Sequence, residues 1–195
     1  MATDRFTPWR DAFLKHLERN SVATPLKEAA INGQLAAWTA NLTTAVVESC
    51  QSLGWRAAGK GHKLALLPQV GQEYLGIDVV AFEGSETDRW PLPLAAFELE
   101  NSQKDDRVAY SLWKVLCLRV KLRIVFAYRP DWEQGRDLVH AVCKDVLDNK
   151  PIDQRIALNG QTVFVMGNRG EGETFPWGYF KFWMLDTNVG QFEKV

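Results

Sequence analysis

The chain is poor in the residues that do most soft-metal and redox chemistry: 195 residues contain three cysteines, three histidines and three methionines. Cys50, Cys117 and Cys143 are odd in number, far apart and set in apolar stretches. That pattern predicts buried free thiols in a reducing cytoplasm and excludes a disulfide framework. His16, His62 and His140 show neither metal-ligand spacing nor a partner nucleophile. No apolar run approaches the ~20 residues that a membrane helix needs, so no membrane association is expected. The opening stretch "MATDRFTPWRDAF" has acids and no apolar core, so no secretory signal is expected there. A basic surplus is missing too. The net charge is −1, whereas a stand-alone nucleic-acid binder carries a clear positive excess. Any contact with nucleic acid must rest on a local patch or on a partner. Internal repeats and low-complexity segments are absent, and "GNRGEGE" at 167–173 lacks the lysine and following helix of a phosphate loop.

What remains is the composition of an ordinary soluble globular domain, with 46% apolar and 24% charged residues. The length suits one sizeable core, so a single α/β domain over 1–195 is expected. Eight scattered tryptophans read as core packing. "TPWRDAFLKHLER" predicts a helix with Thr7 as cap and Pro8 in its first position. "TPLKEAAING" predicts a short helix or turn, and together these form an N-terminal helical extension over 1–33. "QLAAWTANLTTAVVESCQSLG" keeps helical spacing and stops at Gly54. The period then changes to two. "WRAAGKGHKLALLP", "EYLGIDVVAFEG" and "PLAAFELEN" predict three consecutive strands, with turns at 59–61, 68–71 and 84–91.

Downstream, "KDDRVAYSLWKVLCL" predicts a helix with acids in its first turn, where the dipole favours them. "KLRIVFAY" reads as a strand, "DWEQGRDLVHAVCKDVLDN" as an amphipathic helix, and "QTVFVMG" and "WGYFKFWML" as two closing strands. A strand–helix–strand passage implies a parallel crossover. An antiparallel meander feeding that crossover gives an α/β fold with a mixed central sheet flanked by helices.

Within this frame the acids stand out. Alternation puts Ile77 and Val79 on one side of their strand and Asp78 on the other. In "PLAAFELENS" it sends Phe97 and Leu99 one way and Glu98 and Glu100 the other. If the two strands pair, the carboxylates converge and repel, and a hard divalent cation such as Mg²⁺ or Mn²⁺ relieves that repulsion.

"GIDVVAFEG", a polar stretch, "AFELEN" and a following helix resemble the core of the PD-(D/E)XK, restriction-endonuclease-like superfamily, over about residues 35–128. The resemblance implies that Asp78 is the motif aspartate and Glu98 the first acid of the third-strand motif. Glu100 stands where the family usually has lysine, a departure that some members share. This resemblance implies a metal-dependent nuclease, with DNA as the expected substrate. Asp78, Glu98 and the Leu99 backbone carbonyl would be metal ligands, with Glu48 as an additional acid. Glu100 would serve as general base or as ligand to a second metal. Lys63 reads as a migrated catalytic lysine or as a strand lysine whose stem lies along apolar surface. Lys104 and Lys114 read as phosphate contacts or plain surface charge. The competing expectation is a catalytically inactive binding module of the same fold, acting in a nucleic-acid-processing or protein complex. A homodimer using exposed aromatics is a third.

Overall fold

The structure, a computed structural model, describes residues 3–68, 71–85 and 87–195. Three helices come first: α1 (Phe6–Leu17), α2 (Asn20–Ile31) and α3 (Leu35–Ser52). Then follow β1 (Arg56–Gly59), β2 (Val79–Phe82), β3 (Ala95–Leu99), α4 (Asp105–Leu116), β4 (Leu122–Arg129) and α5 (Trp132–Leu147). The short α6 (Ile152–Ile156) precedes β5 (Gln161–Asn168), β6 (Phe180–Asp186) and β7 (Gln191–Lys194). All strands form one seven-stranded sheet in chain order. β3 pairs β4 and β4 pairs β5 in parallel; every other pairing is antiparallel.

Helices cover both faces of this mixed sheet. Under α1–α3 lies one apolar cluster, built from residues such as Trp9, Phe13, Leu42, Phe97, Phe126 and Phe180. Under α4 and α5 lies the other, with Ala96, Leu112, Val125, Val139 and Phe164. α4 and α5 are the two crossover helices, and both lie on this second face. β3, β4 and β5 therefore advance in one direction with their carboxyl ends together. All three are buried almost throughout, as strands covered on both sides must be.

α1 is an extension in the chain but not in space. Trp9 is fully buried, stacks on Phe13 at 5.1 Å and meets Phe97 of β3 at 5.3 Å. Truncating such an aromatic to alanine costs about 3–5 kcal/mol. Asp4, rather than Thr7, serves the helix start: its Oδ1 accepts from the amides of Phe6 and Thr7. α5 begins at Asp131, whose side chain accepts from Gln134 N. Gly135 suits that helix because a Cβ there would sit 2.9 Å from Met166 Cγ.

Several expected elements differ. The strand expected over 55–68 ends at Gly59, and only isolated bridges follow, Gly59 to His62 and Leu64 to Gly71. The one expected over 73–84 is divided: a single 3-10 turn at Tyr74–Gly76, with Leu75 at φ 60°, precedes β2. The turn expected at 68–71 includes Gln69 and Val70, outside the described residues, as is Glu86 of the 84–91 turn. α2 is a full helix running through Pro25. β7 and α6 were not foreshadowed by periodicity. Cys50 and Cys143 are buried free thiols, but Cys117 is exposed, because it closes α4 on the solvent side. Among the described residues no helix is long and apolar enough to cross a membrane.

Candidate functional site

The register of β2 against β3 pairs Val79 with Phe97 and Val80 with Ala96. One step further, the same register sets Asp78 opposite Glu98. β2 proper starts at Val79, so Asp78 continues the pairing with its side chain: Oδ2 accepts from Leu99 N at 2.7 Å. The N–H and C=O of one strand residue point to the same side. The Leu99 carbonyl therefore also points toward Asp78, while Glu100 N turns the other way and donates to Phe126 O of β4 at 3.1 Å. Asp78 is thus fixed on Leu99 at the carboxyl end of β3, next along the chain from Glu98, whose carboxyl feels the Asp78 charge.

Glu98 faces α4. It is 4% exposed, and two α4 residues spaced three apart reach it. Lys114 Nζ lies 2.8 Å from Oε2, and Ser111 Oγ donates to the same oxygen at 3.3 Å. Lys114 also donates to Gly76 O at 2.9 Å, tying α4 to the turn that delivers Asp78. Oε1 is buried with no hydrogen-bond partner. Burial pushes the Glu98 carboxyl up to about 7, and the Asp78 charge adds to the rise. The hydrogen bond and charge of Lys114 and the Ser111 hydroxyl pull it back.

This donor set fits a small hard cation. Two carboxylates and one carbonyl are the usual protein share for Mg²⁺, which keeps waters and takes further oxygens from a phosphate. The orphaned Oε1 is a buried acceptor in need of a proton or a cation. Among the described residues no group of three or more His, Cys, Asp or Glu is arranged to hold a metal, so the set stops at these atoms.

The other residues named from the sequence lie elsewhere. Glu100 is half-buried and its Oε1 accepts from Ser102 N at 2.7 Å, closing the turn after β3. Glu48 projects from α3, on the opposite sheet face from Glu98, and its Oε2 lies 2.9 Å from His16 Nε2. It is not brought to the Asp78–Glu98 pair. Burial lowers the His16 pKa, against the opposing pull of Glu48. Lys63 is exposed in the segment after β1, and Lys104 is exposed at the start of α4. Among the three, Lys114 is the lysine that reaches Glu98.

Sequence reasoning missed Ser111, and also Arg129 at the end of β4, which is buried and lies 2.6 Å from Asp105. The spacing of Ser111 and Lys114 on one helical face was the available signal for the first. Comparison of the chain with protein-family models, curated proteins and solved structures finds no match in any of the three.

Proposed function

We propose that this protein is a metal-dependent nuclease of the restriction-endonuclease-like kind, hydrolysing phosphodiester bonds in DNA with Mg²⁺ or Mn²⁺. The observation that carries the reading is the Asp78–Glu98 pair. Asp78, just before β2, and Glu98 of the neighbouring β3, which is buried with an unpartnered oxygen, sit near the carboxyl end of β3 with a lysine on Glu98. Open α/β sheets commonly bind ligands at that edge. The element order, an antiparallel β1–β2–β3 meander feeding a β3–α4–β4 crossover, supports the same reading.

Asp78, Glu98 and the Leu99 carbonyl would hold the ion. When bound, it supplies Lewis-acid polarisation of the phosphate and a water of lowered pKa. The chain's own groups prepare for that. Leu99 N fixes the Asp78 carboxylate. Lys114 favours the ionised form of Glu98 against the burial that opposes it, and places a positive charge where a phosphate would arrive, filling the position that Glu100 vacates in the motif. Glu100 keeps its carboxylate on the Ser102 amide.

A second reading, a binding module that has lost catalysis, draws on the same Lys114–Glu98 contact, because a lysine can neutralise an acid permanently. Incubation of purified protein with plasmid and linear DNA across Mg²⁺ and Mn²⁺ separates the two. The nuclease cuts, and Asp78→Asn abolishes cutting while Glu48→Gln, far from the pair, cuts like wild type. Undiminished cutting by the Asp78→Asn protein would assign the activity elsewhere.

A further inference from the structure

The tryptophans do not all join the core, as their scatter predicts. Trp9 and Trp38 are buried, but Trp113 of α4 is 48% exposed. Tyr110, one turn before it, is 54% exposed. The two ring centres lie 5.8 Å apart, with planes inclined by 31°. Single exposed aromatics are ordinary on a protein surface, whereas a packed pair presents one continuous π-surface to solvent.

One side chain ties this pair to the acids. Lys114 Nζ lies 5.9 Å from the centre of the Tyr110 ring and 2.8 Å from Glu98 Oε2. Arg107 is exposed one turn before Tyr110, on the side of α4 that leads to Lys114. Among the described residues Arg107 forms no ion pair, and the neighbouring Asp105 is taken by Arg129 at 2.6 Å. Toward α5 the rings border an open groove of about 430 Å³, lined also by Asp106, Asp145, Val146 and Lys150. Across α4 the order is therefore Glu98, then Lys114 and Arg107, then the rings, then a groove with two carboxylates.

That order selects an occupant. An apolar partner helix would cover the rings but would desolvate the two cations beside them. A nucleic-acid strand matches each part. Its phosphates suit the cations, and its bases have the π-faces that stack on Tyr and Trp. Base amino groups donate to carboxylates such as Asp106 and Asp145. In a duplex the bases are already stacked on one another, so the rings take unpaired bases. We propose that Tyr110 and Trp113 are a base-stacking platform for single-stranded DNA, whose backbone passes over Arg107 and Lys114 toward Glu98. The choice of ligand rests on the nuclease reading of the Glu98 site, and the platform specifies the strand form which that site receives.

Fluorescence anisotropy of the full chain in EDTA tests it, since binding is then read without cleavage. The probe is a labelled single strand of about ten nucleotides. It is compared with the blunt duplex of the same sequence and with a strand of abasic sites. Wild type should hold the single strand roughly tenfold or more tighter than the duplex. Trp113→Leu and Tyr110→Leu keep apolar bulk without a flat ring, and each should weaken single-strand binding about tenfold. Trp113→Phe should keep most of it. The abasic strand should bind wild type as weakly as the intact strand binds the leucine variants. Arg107→Gln should lower the log–log salt slope by about one. Equal affinity for single strand and duplex overturns the proposal, as do leucine variants that bind like wild type or an abasic strand held as tightly as the intact one. So does a dimer that Trp113→Leu dissociates in a chain that binds no strand, because the rings then face a second copy. Ring-dependent binding by a chain that never cuts with Mg²⁺ or Mn²⁺ sinks the nuclease reading and supports the platform. Cutting that both leucine variants retain in full at sub-saturating strand sinks the platform alone.

Discussion

Lys114 Nζ lies 2.8 Å from Glu98 Oε2 and 2.9 Å from Gly76 O, so a single ammonium links the third strand to the turn that carries Asp78. The Lys114 side chain is only 25% exposed, and its charge acts in a partly dry setting where electrostatic effects grow. Removing it takes away the cation that faces Glu98. Lys114→Met should cut metal-dependent cleavage by about 100-fold, the loss typical of a missing preorganised charge donor. Lys114→Arg should restore part of it. Steady-state cleavage of a fluorescent oligonucleotide measures both. Wild-type rates in Lys114→Met would make the contact structural only.

Glu98 also writes a pH dependence into stability. Its folded pKa, about 7, stands above the ordinary 4.5, chiefly because it is buried. Between those values the unfolded chain ionises Glu98 while the folded chain keeps the proton, so the folded state loses stability as pH rises from about 4.5 to 7 and stays lowered above. The gap of about 2.5 units corresponds to roughly 3 kcal/mol. Glutamine mimics the protonated acid. Glu98→Gln should match wild type near pH 4 and exceed it by as much as roughly 3 kcal/mol at pH 8. Urea unfolding at both pH values reads this directly. Parallel pH profiles for the two proteins would show that Glu98 ionises in the folded state at no cost.

The Asp78–Glu98 juxtaposition was legible because it needs only period two and an antiparallel register, both visible in "GIDVVAFEG" and "PLAAFELEN". The order from β1 to β6 and the parallel β3–β4 pairing followed from the same patterns. Glu100 illustrates where alternation stops. It shares parity with Glu98, but β3 ends at Leu99, and beyond the strand the nearest free amide, Ser102 N, takes the carboxylate. Lys114 read as surface charge because a helix-to-strand contact depends on how α4 crosses β3, which no local pattern encodes. α1 looked like an appendage since sequence shows that Trp9 and Phe13 share a face, not what that face covers. β7, "QFEK", is a short edge strand with one buried residue, and its polar neighbours erase the signal.

Metal binding joins these two arguments. An ion needs Glu98 ionised, and Glu98 is half-protonated at about pH 7, so protons compete with the metal near neutrality. At pH 8 the carboxylate is free. A ligand that binds only the folded state stabilises it by about 2.7 kcal/mol at a hundred times its dissociation constant, and for a chain of this size each kcal/mol moves the melting temperature by roughly 2–4 °C. Mn²⁺ at that excess should raise the melting temperature by about 5–10 °C at pH 8. At pH 6 the same concentration should do much less, because ionising Glu98 there consumes part of the binding free energy. Asp78→Asn should lose the response at both pH values while keeping its fold, since asparagine can still accept from Leu99 N. Differential scanning fluorimetry with and without EDTA measures all three. A response independent of pH, or one retained by Asp78→Asn, would place the ion away from these carboxylates and remove the physical basis for the nuclease reading.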